Sequence, residues 1–179
     1  MLRNIFGRNN SRNNPDNSHN EVTFNRQFYD QFWNEFHNHL IQNKSVLVPF
    51  SEAYNFNGQD NRYTYAGIHF GEFDKDPIRL IGWTDVNNGR IAAKLRFKNL
   101  NPLFGELKED QESIHAFFGG NLEWDRPPSK SVGLYRSSVD FGNTSNHEEL
   151  FEWLRENLEK LERVFMWKLT SYYIDNNWT

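Results

Sequence analysis

The most pointed chemistry in this chain belongs to Arg90, Lys94, Arg96 and Lys98, whose even spacing would put them on one side of an extended segment. Side chains alternate along a strand, so Ile91, Ala93, Leu95 and Phe97 would face the other way, into a core. Between residues 75 and 100, six Lys and Arg side chains outnumber two Asp, a local charge of +4. Clustered cations reward phosphate, and rings among them stack bases. If Tyr63, Tyr65 and Tyr135 share that face, it becomes a mixed platform for nucleic acid or a nucleotide. The plainer alternative is a solvated sheet face balanced by an acidic helix. Glu148, Glu149, Glu152, Glu156, Glu159 and Glu162 against Arg155, Lys160 and Arg163 leave that helix at −3.

Catalytic patterns are sparse. Helix, three strands, helix, strand is the order of restriction-type nuclease cores, which need one acid near the second strand and an acid-x-Lys on the third to hold Mg²⁺. Asp85 supplies the first, but Ala92 stands two residues before Lys94 where the second acid should be. A metal-dependent nuclease is therefore disfavoured. His37 and His39 are two apart on a helix and diverge, while His19, His69, His115 and His147 are isolated, so no metal ligation is expected. Neither a Gly-x-Ser-x-Gly elbow nor a phosphate-cradling Gly loop ending in Lys is present, and no cofactor is implied. At the C-terminal end Trp167, Tyr172, Tyr173 and Trp178 lie beyond the regular helix seam, a composition suited to docking a second protein chain.

The elements that must position these groups can be read from periodicity. Residues 1–21 are a polar, Asn-rich tract with no period, expected to be a flexible arm ahead of a single domain over residues 22–179. Phe28, Phe32, Phe36 and Leu40, widened by Tyr29 and Trp33, predict an amphipathic helix from Phe24 to about Gln42. After a short apolar run to Phe50 and a polar loop at 52–61, strands are expected at Arg62–Phe70, Ile78–Val86 and Arg90–Phe97. The last two flank the hairpin signal Asn87-Asn88-Gly89. Asn101-Pro102 opens a second helix carrying Leu103, Leu107, Ile114 and Phe118 and ending at Gly119-Gly120. Strands at Asn121–Asp125 and Val132–Val139 follow. A capping box at Ser145–Glu148 starts the last helix, whose seam is Leu150, Leu154, Leu158, Leu161 and Phe165. The order α-β-β-β-α-β-β-α predicts a two-layer α+β domain, with an antiparallel sheet of about five strands and three helices on one face.

Composition fits this reading. The 179 residues are 16% aromatic and carry a net charge of −4, so the surface as a whole is no polyanion trap. The absence of Cys excludes disulfides and thiolate chemistry and suits a reducing compartment. With no signal peptide and no apolar run near the 18–20 residues of a membrane span, a cytoplasmic protein is expected.

Phe28-Tyr29-Asp30-Gln31-Phe32-Trp33-Asn34-Glu35-Phe36, the Arg90–Phe97 strand, Leu122-Glu123-Trp124-Asp125-Arg126-Pro127, and the closing helix with Trp153, Leu154, Leu158, Lys160, Leu161, Val164 and Phe165 resemble the bacterial family called domain of unknown function 4268. The resemblance covers about residues 24–170. It implies a setting beside nuclease-like segments in restriction or phage-defence assemblies, and no catalytic residue. Because the arm is too short for an enzyme domain, a nuclease partner is expected to be a separate chain. The reading from the residues is a non-catalytic binding or adaptor domain, with nucleic acid or a nucleotide as the alternative ligand.

Overall fold

The computed structural model describes residues 26–47, 64–69, 78–97, 102–124 and 130–175. In chain order these form α1 (Arg26–Gln42), β1 (Thr64–His69), β2 (Ile78–Asp85), β3 (Arg90–Phe97), α2 (Pro102–Glu109), α3 (Gln111–Phe118), β4 (Glu123–Trp124), β5 (Lys130–Arg136) and α4 (His147–Asp175). The expected polar arm and the 52–61 loop lie outside the described residues.

All neighbouring strands pair antiparallel, in the order β1-β2-β3-β5-β4. Four strands have six to eight residues, and β4 adds only two at the edge. The α+β architecture with an open antiparallel sheet is as the pattern implied, but the described residues form four α-helices rather than the expected three. The stretch 102–118, expected as one helix, bends at Asp110 into α2 and α3. Helical hydrogen bonds continue on both sides of the bend, from Asp110 N–H to the Glu106 carbonyl and from Ile114 N–H to the Asp110 carbonyl. Leu103, Leu107, Ile114 and Phe118 therefore stay in phase and all reach the core. The last helix also starts differently. Instead of the Ser145 hydroxyl capping Glu148 N–H, the Asn143 Oδ1 accepts the Ser145 N–H at 3.2 Å and caps a 3-10 turn over Thr144–Asn146 that precedes His147.

The core lies between the helices and one face of the sheet, here the inner face. Strand alternation sends Ile78 and Leu80 of β2, Ile91, Ala93, Leu95 and Phe97 of β3, and Val132 of β5 into it. From α1 come Tyr29, Phe32, Trp33, Phe36 and Leu40, and from α4 Leu150, Leu154, Leu158, Leu161 and Phe165, all buried. Each such side chain contributes about 1.5–3 kcal/mol on burial. Phe32 is the hub of the ring packing, edge-on to Trp33 at 5.3 Å and to Phe151 at 5.0 Å. Trp33 reaches the sheet because Gly82 is bare; a Cβ there would lie 2.9 Å from its ring. The β2–β3 connection is a 3-10 turn over Val86–Asn88 closed by Gly89 in the left-handed region at φ 57°. The Asp85 carboxylate braces it, accepting from the Asn88 amide Nδ2 at 2.7 Å.

Candidate nucleic-acid interface

Because the inner face takes the odd positions of β3, its even positions, Arg90, Ala92, Lys94 and Arg96, face the other way. Register places Asp85, Trp83, Ile81 and Arg79 of β2 opposite them in that order. On the far side of β3, Tyr135, Gly133 and Ser131 of β5 stand opposite Ala92, Lys94 and Arg96. Among the described residues, no helix packs on this outer face.

Its centre is a cluster of two rings and two cations. Trp83 and Tyr135 lie 6.2 Å apart, nearly perpendicular at 74°. The Lys94 Nζ sits over both, 4.6 Å from the Trp83 ring and 5.6 Å from the Tyr135 ring. The Arg90 guanidinium does likewise at 5.8 and 5.4 Å. These are cation–π distances, worth about 0.5–1 kcal/mol each at exposed sites and more when desolvated. On the same face Ala92, opposite Trp83 and Tyr135 in register, is 0% exposed, and Ile81 is 2% exposed. Gly133 leaves room for Lys94, since a Cβ there would lie 2.5 Å from the Lys94 Cβ and 2.3 Å from the Ala93 carbonyl oxygen. Arg79 and Arg96 extend the positive field along the same face, and β4 contributes one acid, Glu123, opposite Gly133.

The expected residues thus divide. Arg90, Lys94 and Arg96 come together on the outer face with Tyr135. Tyr65 belongs to β1 and pairs in register with Trp83, but its side chain is not among those described; Tyr63 and Lys98 lie outside the described residues. Trp83 escaped the sequence reading although it shares the outward parity of Arg79 and Asp85, which was the available signal.

The acidic helix does not balance this face. α4 lies across the inner face, and its carboxylates serve other partners. Glu149 receives Arg136 at 2.7 Å, while Arg155 reaches Glu152 at 2.5 Å and Glu159 at 2.9 Å. Buried His39 sits between Glu148 and Glu152, its Nδ1 3.2 Å and its Nε2 3.0 Å from carboxylate oxygens. The hydrogen bond from Arg155, with a smaller one from His39, holds the Glu152 carboxyl down at about 2 against the resistance of partial burial. His147, also buried, sits 3.2 Å from Glu35 on α1. His115 receives the Trp124 Nε1–H at 3.1 Å. The partners of His39 and His147 lie 113 and 112 residues away in sequence, which is why spacing alone does not reveal them. His39 and His147 tie α1 to α4, and His39 lines an open, acidic cleft of about 730 Å³ with Glu148, Glu149, Glu152 and Glu156. Among the described residues, no three His, Asp or Glu side chains are placed to hold a metal ion.

Of the expected protein-docking residues, Trp167 is exposed at 56% and stacks at 5.8 Å on Phe117, itself 59% exposed. Tyr172 and Tyr173 fall in the last turn of α4, where side chains are not described, and Trp178 lies outside the described residues.

The family model described as Domain of unknown function (DUF4268) matches residues 28–167, well over half of the chain. The chain belongs to that family. Neither a curated protein nor a solved structure matches it. The DUF4268 match runs from Phe28 of α1, packed against the core, to the exposed Trp167 of α4, so it contains both the outer sheet face and the Phe117–Trp167 patch. Among the described residues of this DUF4268 chain, no helix is long and apolar enough to cross a membrane.

Proposed function

We propose that this chain is a non-catalytic binding domain that takes single-stranded nucleic acid on its outer sheet face. The observation that carries the reading is the placement of Lys94 and Arg90 over Trp83 and Tyr135. Rings offer a sequence-tolerant surface for stacking bases, guanidinium planes add to it, and ammonium and guanidinium groups answer the phosphates. Holding long cations against rings before the ligand arrives also lowers the ordering cost of binding. Against a nuclease, the position where a metal site would need its second acid is the fully buried Ala92, and Asp85 is engaged by Asn88.

A second reading, compatible with the first, is that of an adaptor for another protein, and the exposed Phe117–Trp167 stack favours it. Such a partner would be a separate chain, a nuclease or another component of a bacterial restriction or defence assembly, and the domain would work in the cytoplasm.

Fluorescence anisotropy with a labelled single-stranded oligonucleotide across a salt series tests the first reading. Affinity should fall steeply with salt, and Lys94→Glu with Arg96→Glu should weaken binding at least about tenfold and flatten the log–log salt slope by about 1.4. Phe117→Ala with Trp167→Ala should leave oligonucleotide affinity unchanged while removing whatever protein co-purifies from the native host. Salt-independent affinity, or binding indifferent to the Lys94 and Arg96 reversals, sinks the nucleic-acid reading.

A further inference from the structure

Arg79 and Arg96 are directly opposed across β2 and β3 on the outer face. Like charges in that position repel and destabilise a strand pair. Several other cations have company, and those of the described residues that lack it, such as Lys44, Lys108 and Arg163, stand exposed and apart rather than opposed in a strand pair. Arg136 has Glu149, Arg155 has Glu152 and Glu159, Lys168 has Asp110, and Arg90 and Lys94 have the rings. Among the described residues, Arg79 and Arg96 make no ion pair, hydrogen bond or ring contact of this kind. The Arg79 Nε is buried with no acceptor in hydrogen-bonding reach. A buried donor left unmade costs free energy, and here it adds to the repulsion from Arg96. Nothing from β5 crowds the pair, since the residue opposite Arg96 is the small Ser131.

We infer that Arg79 and Arg96 form a site for a phosphomonoester, the terminal phosphate of the strand bound on this face; the inference rests on the nucleic-acid reading above. The argument is one of charge and shape. A phosphomonoester carries about −1.5 to −2 at pH 7, whereas an internal phosphodiester carries a single charge, so two adjacent guanidinium groups are better matched by the end of a strand than by its middle. Guanidinium forks pair bidentately with phosphate oxygens, and Cβ atoms opposed across two strands stand about 4.5–5.5 Å apart, close enough for both forks to meet one phosphate. Arg79, half-buried with its Nε already desolvated, is the fixed half of the clamp, and the exposed Arg96 closes on it. Arg79 and Trp83 are four residues apart on β2, about 13 Å, so the terminal phosphate and the stacked bases occupy separate stretches of the same face.

The test uses the full chain and three single strands of one sequence, with a 5′-phosphate, a 3′-phosphate or hydroxyls at both ends, and a 5′-mononucleotide as a fourth probe. One phosphorylated end should bind about tenfold more tightly than the hydroxyl strand, and Arg79→Gln and Arg96→Gln should each erase that ratio by weakening the phosphorylated strand about tenfold more than the hydroxyl strand. Without ligand, the same substitutions should raise Tm, because they remove a repulsion, and the 5′-mononucleotide should raise Tm of the unsubstituted chain only. Equal affinity for all three strands, or a preference that survives Arg79→Gln with Arg96→Gln, overturns the clamp while leaving the sheet-face reading intact. If no strand binds but the mononucleotide does so saturably and through both arginines, the phosphomonoester site stands and the polynucleotide reading falls. Binding of none of the four overturns both.

Discussion

Gly133 and Lys94 face each other across β5 and β3, and the chemistry of the outer face depends on that pairing. A Cβ on Gly133 would meet the Ala93 carbonyl oxygen at 2.3 Å, and a carbonyl within a paired strand cannot step aside. Gly133→Ala should therefore cost about 1–3 kcal/mol, seen as a lower urea midpoint at unchanged slope. A midpoint equal to that of the unsubstituted chain would mean that β5 does not lie against β3 in this register. Much of this was legible from spacing alone. The alternation Arg90, Lys94, Arg96 against Ile91, Ala93, Leu95 assigns both faces of β3, because a period of two admits one partition of the side chains. The ring pair was only half legible. Tyr135 belongs to the expected platform and Trp83 does not, since a Trp on a strand suits a core equally well; its parity with Arg79 and Asp85 is the sequence signal, and register sets it opposite Ala92 on the side away from the helices.

At the scale of elements, α1 and α4 are joined by rings and by a polar seam, and the seam makes the joint sensitive to pH. Folding lowers the Glu152 carboxyl from the ordinary 4.5 to about 2, chiefly through the hydrogen bond from Arg155. A depressed carboxyl contributes stability above its unfolded value and loses it as pH falls through the folded one. The margin of the unsubstituted chain over Glu152→Gln should thus be constant above about pH 5 and shrink between 4.5 and 2. It should be small throughout, because Glu152 is 42% exposed and the pair is screened by water. Tyr29 on α1 moves the other way, pushed up to about 12 by burial, with nearby Asp85 adding to it. A raised phenol ionises first in the unfolded chain, so stability present below pH 10 should drain away between 10 and 12. Tyr29→Phe should not show that loss in thermal melts followed by circular dichroism. Helix positions were largely readable from the 3.6-residue period. The bend at Asp110 was not, because the seam Leu103, Leu107, Ile114, Phe118 keeps one phase through it and the carboxylate's partner, Lys168, is 58 residues distant. The α4 start departs from the expected capping box for a local reason: Asn143 Oδ1 accepts from both the Ser145 N–H and the Ser145 hydroxyl.

At the scale of the molecule, charge is sorted by layer. The chain is negative overall, at −4, yet the outer sheet face carries Arg79, Arg90, Lys94 and Arg96 against Asp85 and Glu123, while the helical layer holds the acids of α4. A negative whole with a positive face meets a polyanion under opposing influences. Contact is attractive, but at distances beyond the Debye length of about 8–10 Å the net field does not favour approach. Association should therefore be slower than the face alone would permit, and the brake should sit in the helical layer. Glu109, Glu112 and Glu156 are exposed helix residues away from the sheet's outer face, and changing all three to Gln brings the net charge from −4 to −1. In stopped-flow binding to a single-stranded oligonucleotide at low salt, the triple variant should associate a few-fold faster with an unchanged dissociation rate, since charges outside the contact act on encounter and not on the bound state. The gain should vanish at high salt, where screening removes the distant charges but leaves the cations at the phosphates in place. A change confined to dissociation would put those glutamates in the contact itself, and the strand on the helical side of the molecule.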